Sequence, residues 1–174
     1  VADTVILVNG LPGAGKTTLA QQLKEASGWP LLSKDAVKEA LALIADGAVG
    51  SGRLGAVAMD TVWSMAAAVD GEVIVESWWF RPRDLGFARA GVALAGAVRV
   101  VEVWCDVAPA VARERYAGRH RAAVHDDGAR LATDFDRWVA EGVPLGIGSL
   151  VRADTSGPVD VNGLVARVRA AASV

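Results

Sequence analysis

The sequence predicts an α/β fold in which a five-stranded parallel sheet carries helices on both faces. Two observations support this. Short apolar runs at residues 4–9, 30–33, 72–77, 98–104 and 149–153 read as strands, and segments of helical spacing separate them. Between the first run and the first helix lies Gly10-Leu11-Pro12-Gly13-Ala14-Gly15-Lys16-Thr17, which satisfies G-x-x-x-x-G-K-[ST] at every fixed position.

That order of strand, glycine-rich turn and helix makes the prediction specific: a three-layer P-loop NTPase fold. The glycines let backbone N–H groups turn inward and approach an anion with no Cβ in the way. The helix that follows, from Thr17 to about Ala26, adds unpaired N–H donors and the positive end of its dipole. Gly10, Pro12, Gly13, Ala14, Gly15, Lys16, Thr17 and Thr18 are therefore expected to hold a nucleoside triphosphate, ATP or GTP. Lys16 reaches the β- and γ-phosphates and the Thr17 hydroxyl ligates Mg²⁺.

A chain of 174 residues suits one well-buried domain, so residues 1–174 are expected to form a single unit. The formal charge of −2 supplies no global field for a polyanion, although the chain has a local basic patch that could hold one; nucleic acid is not expected among the partners. Apolar runs are short and broken by charge or glycine, which excludes a membrane span. Cys105 has no second cysteine to pair with, and with the first strand beginning so early no signal peptide is expected. Both features fit a cytoplasmic protein.

The second strand ends at Ser33, and a helix with Val37, Leu41 and Ile44 on one face follows. Asp35 stands at the start of that helix, beyond the carboxyl end of a strand, where open parallel sheets bind ligands. It reads as a catalytic carboxylate or as an acid that only complements the helix dipole. Ser33 is an alternative cap that would release it. Lys38, one turn on, shares its face and either contacts substrate or points to solvent. Residues 46–52 hold three glycines and read as a mobile loop, either a connector or a lid over substrate. A helix from Leu54 to Val69 supplies core, with Trp63 read as packing.

The third strand ends at Glu76, the shape of a Walker B element with Glu where Asp is usual. Glu76 is a candidate for metal or substrate, or for a salt bridge with Arg81 or Arg83. In Ser77-Trp78-Trp79-Phe80 the consecutive side chains splay, so at least one aromatic is expected at the cleft mouth. Trp78, Trp79 and Arg81 are the substrate-binding candidates here. Pro82 and Asp84 mark a helix start, as Pro109 does after the fourth strand. The latter helix is read as carrying Arg113, Arg115 and Arg119, with Arg121 just beyond. Arg115 and Arg119, at i and i+4, are expected on one face as a phosphate clamp, within a lid at approximately 113–128. His120 and His125 lack the further ligands of a zinc site. Gly128 to Val139 reads as one helix. After the last strand, the loop containing Thr155 is expected beside the nucleotide base, and a helix from Asp160 to Ala172 closes the fold.

Four motifs together carry a resemblance over nearly the whole chain: Gly10 to Thr17, Leu32-Ser33-Lys34-Asp35-x-x-Lys38, Val73-Ile74-Val75-Glu76, and Cys105-Asp106 leading to Arg115 and Arg119. The chain resembles the small P-loop kinases grouped around chloramphenicol phosphotransferase, the zeta-toxin kinases and the kinase domain of polynucleotide kinase. The resemblance implies that Asp35 is the general base toward an acceptor hydroxyl and that Arg115 and Arg119 embrace the transferred phosphate. Lys38 stands where such families often have Arg, and Glu76 where they often have Asp. The implied activity is Mg²⁺-dependent transfer of a γ-phosphoryl group to a hydroxyl of a small molecule, with an antibiotic, nucleoside-like or chloramphenicol-like, as the favoured acceptor. A toxin-type nucleotide-sugar kinase, a polynucleotide 5′-kinase and a nucleotide-gated protein that sequesters its ligand unmodified are the alternatives.

Overall fold

Val5-Ile6-Leu7-Val8 forms the chain's first strand and also the centre of its sheet, with all four side chains fully buried. In the computed structural model, which describes residues 2–119, 123–125 and 127–173, β1 (Ala2–Asn9) lies between β3 (Gly71–Glu76) and β4 (Arg99–Asp106). Outside these are β2 (Leu31–Ser33) and β5 (Ser149–Asp154). The order is β2-β3-β1-β4-β5, and every neighbouring pair is parallel.

A central parallel strand is covered on both faces, so it needs an unbroken apolar run rather than alternation. β1 sends Ile6 and Val8 to one face and Val5 and Leu7 to the other. On the first face pack α1 (Lys16–Ser27), α5 (Pro109–Ala117), α7 (Phe135–Glu141) and α8 (Val161–Ala172), through Leu19, Leu23, Tyr116, Phe135 and Leu164. On the second pack α3 (Ser51–Ala67) and α4 (Arg81–Ala95), through Val62, Trp63, Ala88 and Ala95, with Val37 of α2 (Lys34–Ala45) against them. A 3-10 turn at Ala123–His125 and α6 (Asp127–Thr133) lie between α5 and α7. This is the three-layer α/β arrangement expected from the strand rhythm.

Local chemistry sets the ends. Gly28 closes α1 in the left-handed conformation, its N–H donating to Lys24 O. Pro82 and Pro109 occupy first turns, where a missing N–H costs nothing. Asp160 caps α8 by accepting from the Gly163 N–H at 3.0 Å.

Four expectations are corrected. Residues 128–139 form two helices, because the chain breaks at Asp134 to turn Phe135 and Trp138 into the first core. α5 ends at Ala117 with Gly118 as its cap, so Arg119 lies past the helix and does not share a helical face with Arg115. The apolar face of α2 is incomplete: Ile44 is 81% exposed, and the buried side chain of that helix is Lys38. The helix expected at Leu54 to Val69 does supply core, through Leu54, Val62 and Trp63, while its Val57 and Met65 are exposed. Residues 46–50 connect α2 to α3, and Ser51 already begins the helix. His120, Arg121 and part of the expected lid at 113–128 lie outside the described residues.

Candidate active site

The phosphate end of the cleft is built from backbone. Gly13 (φ 87°) and Gly15 (φ 85°) are both left-handed, and a Cβ on Gly13 would fall 1.9 Å from the Ala112 carbonyl oxygen of α5. That close approach seats the loop against α5 and leaves the first-turn N–H groups of α1 without intrahelical acceptors. Lys16 is buried and folds back, its Nζ donating to Gly10 O at 2.9 Å and Leu11 O at 3.0 Å. Burial lowers its pKa from 10.5 to about 8, against the opposing pull of Glu76, and the Arg119 charge lowers it further.

Behind the loop is a buried polar network that the sequence reading missed. Asn9 Oδ1 accepts from the Gly10 N–H at 2.8 Å and the Trp79 N–H at 3.1 Å, while its Nδ2 donates to Glu102 Oε1 at 3.0 Å. Glu102, 1% exposed, also accepts from the N–H groups of Leu145 and Gly146. One amide thus joins the start of the P-loop to the segment after β3. Nothing local marks Asn9 or Glu102, since their partners are brought in by β3 and by the loop before β5.

Glu76, at the end of β3, accepts from Thr17 Oγ1 at 3.2 Å and from Ser33 Oγ at 2.7 Å. Ser33 is therefore turned toward Glu76 and makes no side-chain cap for α2. Among the described residues, no salt bridge joins Glu76 to Arg81 or Arg83. Asp35 opens α2 beside this carboxylate, with Lys34 Nζ at 3.5 Å and His125 Nδ1 at 3.9 Å from its Oδ1. His125 is buried and its Nε2 lies 2.7 Å from Glu39 Oε1. Lys38 Nζ donates to Ser51 Oγ at 2.8 Å and to Val124 O at 2.9 Å, tying the 3-10 turn to α2 and α3. The sequence offered no sign of the His125 contact, which spans ninety positions of chain from Asp35.

Lys16, Thr17, Asp35, Lys38, Glu76, Trp78 and Arg119, named from sequence, line one cleft with Pro12. Other nominated residues lie elsewhere. Trp79 is 2% exposed in the second core, because successive side chains after β3 point to opposite sides and Trp78 takes the cleft side. Arg81 starts α4 and faces Gly146, while Arg83, two positions on, turns to the cleft and grips both oxygens of Asp84. Arg115 donates to Thr155 O at 2.9 Å and Ser156 O at 3.0 Å, so its guanidinium clamps the loop after β5 and is absent from the cleft wall. Thr155 is held by Asp106 O and lies against Gly15. Arg130 and Trp138 join the wall from α6 and α7 without having been nominated. An arginine on a short amphipathic helix carries no signal that separates it from a solvated one. Cys105 is buried and its thiol is pushed up to about 12 by that burial, which leaves it inert.

The donors present fit a metal-bound triphosphate. Thr17 and Glu76 bring a hydroxyl and a carboxylate together, hard oxygen ligands of the kind Mg²⁺ takes. The buried Lys16 ammonium satisfies itself on loop carbonyls, an arrangement that an anion displaces at a gain. Among the described residues, no helix is long and apolar enough to cross a membrane.

A family profile described as an AAA domain matches residues 5–134. Solved structures with the same fold include a candidate kinase from Chloroflexus aurantiacus, 29% identical, with a TM-score of 0.73 and covering 96% of this chain and 97% of that one. A gluconokinase from Sinorhizobium meliloti is 19% identical with a TM-score of 0.59, covering 98% and 92%. The tunicamycin resistance protein of Deinococcus radiodurans is 19% identical with a TM-score of 0.57, covering 97% and 94%. No curated protein sequence matches the chain. The likeness to small P-loop kinases drawn from the motifs is borne out, and the fold is theirs.

Proposed function

We propose that this chain, which belongs to the AAA domain family, is a Mg²⁺-dependent O-phosphotransferase that moves the γ-phosphoryl group of ATP or GTP to a hydroxyl of a small molecule. The observation that supports it most is the placement of Asp35. It stands in the cleft that Lys16, Thr17 and Glu76 also line, at the carboxyl edge of a parallel sheet.

In this reading the acceptor hydroxyl attacks the γ-phosphorus, its proton passes to an Asp35 oxygen, and the bond to the β-phosphate oxygen breaks to release the diphosphate. Lys16 leaves the Gly10 and Leu11 carbonyls for the β- and γ-phosphates, and Arg119 offsets charge on the transferred group. Mg²⁺, held through Thr17 and Glu76, neutralises phosphate charge when bound. Trp78 supplies a flat wall for the acceptor. The stretch at approximately 113–128 serves as the lid in this reading; of its described residues, Val124 is bound by Lys38 and Ser51, and His125 by Glu39. Arg115 and Thr155 shape the nucleotide's far end. Lys38, bound to the lid, acts on the acceptor through that closure.

An antibiotic acceptor is one form of this reading, and the shared fold with a tunicamycin resistance protein makes antibiotics worth including in a screen. The deciding experiment incubates the protein with γ-labelled ATP or GTP, Mg²⁺ and a panel of antibiotics, sugars, hydroxy acids, nucleosides and oligonucleotides, and follows products by mass spectrometry. A small molecule gaining one phosphoryl group is expected. Nucleotide-dependent retention of an unaltered ligand would show sequestration instead, and label in oligonucleotides alone would show a polynucleotide kinase.

A further inference from the structure

Among the described residues, five cations line the cleft besides Arg83, whose guanidinium already grips Asp84: Lys16, Lys34, Lys38, Arg119 and Arg130. Asp35 and Glu76 are the carboxylates on the same wall, and His125 lies 2.7 Å from Glu39.

These cations differ in what they touch. Lys16 and Arg119 face the phosphate end, where each charge is close enough to be felt by the other. Lys34 lies against Asp35, and Lys38 is held by Ser51 and the Val124 carbonyl. Arg130 is half-buried in the wall, and among the described residues it has no hydrogen-bond or ion-pair partner. A guanidinium partly withdrawn from water with no anion beside it lacks the contact that its planar fork makes best, two parallel hydrogen bonds to a carboxylate or phosphate. Trp138, from the next helix, lies edge-on to Trp78 at 6.2 Å on the same wall. A partly exposed indole and a guanidinium with no partner among the described residues thus share the cleft with Asp35.

From this juxtaposition we infer that the acceptor is a hydroxylated molecule bearing a small oxyanion, a carboxylate or a phosphate, which Arg130 holds while the molecule lies against Trp78. The inference rests on the kinase reading and narrows its acceptor to anionic compounds.

The test needs no knowledge of the acceptor. The protein is saturated with Mg²⁺ and a non-hydrolysable triphosphate, then titrated with acetate and, separately, with inorganic phosphate, following tryptophan fluorescence and calorimetry. Saturable binding of at least one anion is expected, weakened about tenfold or more in Arg130→Gln and partly restored in Arg130→Lys, with nucleotide affinity unchanged. Acetate alone binding marks a carboxylate acceptor, and phosphate alone a phosphorylated one. Binding of neither anion overturns the inference. So does an equal loss of nucleotide affinity in Arg130→Gln, which would put this arginine on the triphosphate. A protein that takes up no Mg²⁺-nucleotide fails at the earlier step and removes the kinase reading itself.

Discussion

The two ends of the cleft are made in different ways. The phosphate end is eight consecutive residues whose shape is set by glycine torsions and by one buried asparagine. The proposed acceptor end is assembled from the end of β3 and the residues after it, α2, α4, α5 and the residue past it, the 3-10 turn, α6 and α7, each contributing one to three side chains. A contiguous backbone cradle tolerates little variation in any member. A wall gathered from distant elements can change one side chain at a time, which is how one fold comes to serve many acceptors.

The largest effect that would break this contrast is on Lys16. Lys16→Met should lower kcat/KM by about 10³-fold or more, because a positioned charge on the transferring phosphoryl group is lost. Single-turnover transfer from labelled triphosphate measures it, and a loss under tenfold would remove Lys16 from the chemistry. Asp35→Asn should lower kcat by roughly 10²–10⁴-fold while calorimetry shows nucleotide affinity unchanged, since it belongs to the other end of the cleft. Near-normal turnover in that variant would deny Asp35 the role of base.

The lowered pKa of Lys16 sharpens the comparison. Nucleotide affinity should hold steady up to about pH 8 and then fall by about tenfold per pH unit, as the buried amine loses the proton it needs. Folding stability moves the opposite way. Burying the charged amine costs stability below the folded-state value, and the cost is relieved as pH rises from about 8 toward 10.5, where the unfolded chain still holds its proton. Affinity measured from pH 7 to 10 in wild type and Lys16→Met tests this, the variant being flat.

The smallest effect on chemistry is expected from Glu102→Gln. It places an amide donor among three donors and should cost about 1–3 kcal/mol in urea unfolding while changing kcat little. An unchanged urea midpoint would show that the network does not support the loop.

Much of this molecule was legible before any coordinates. The five strands fall where the apolar runs do, because a doubly covered parallel strand must be continuously apolar and few other structures need that. The P-loop was legible because its function resides in consecutive backbone positions. Asp35 and Glu76 could be picked out because strand ends in a parallel sheet share one edge. Legibility failed where a choice between neighbours was needed. Trp78 and Trp79 are the same residue type in adjacent positions, and only the packing of two cores decides which one meets the cleft. Arg81 and Arg83 differ by one helical phase angle, and Arg115 was drawn to two carbonyls that belong to a loop forty residues away.

The sequence by itself determined the sheet, the phosphate cradle and the carboxylates at its edge, since each depends on local pattern and on rules of strand direction. Tertiary structure alone decided that His125 faces Asp35, that Lys38 is buried against the 3-10 turn, and that Arg130 lines the same cleft as Trp78. These contacts join residues far apart in the chain, and their energies exist only once the helices have packed.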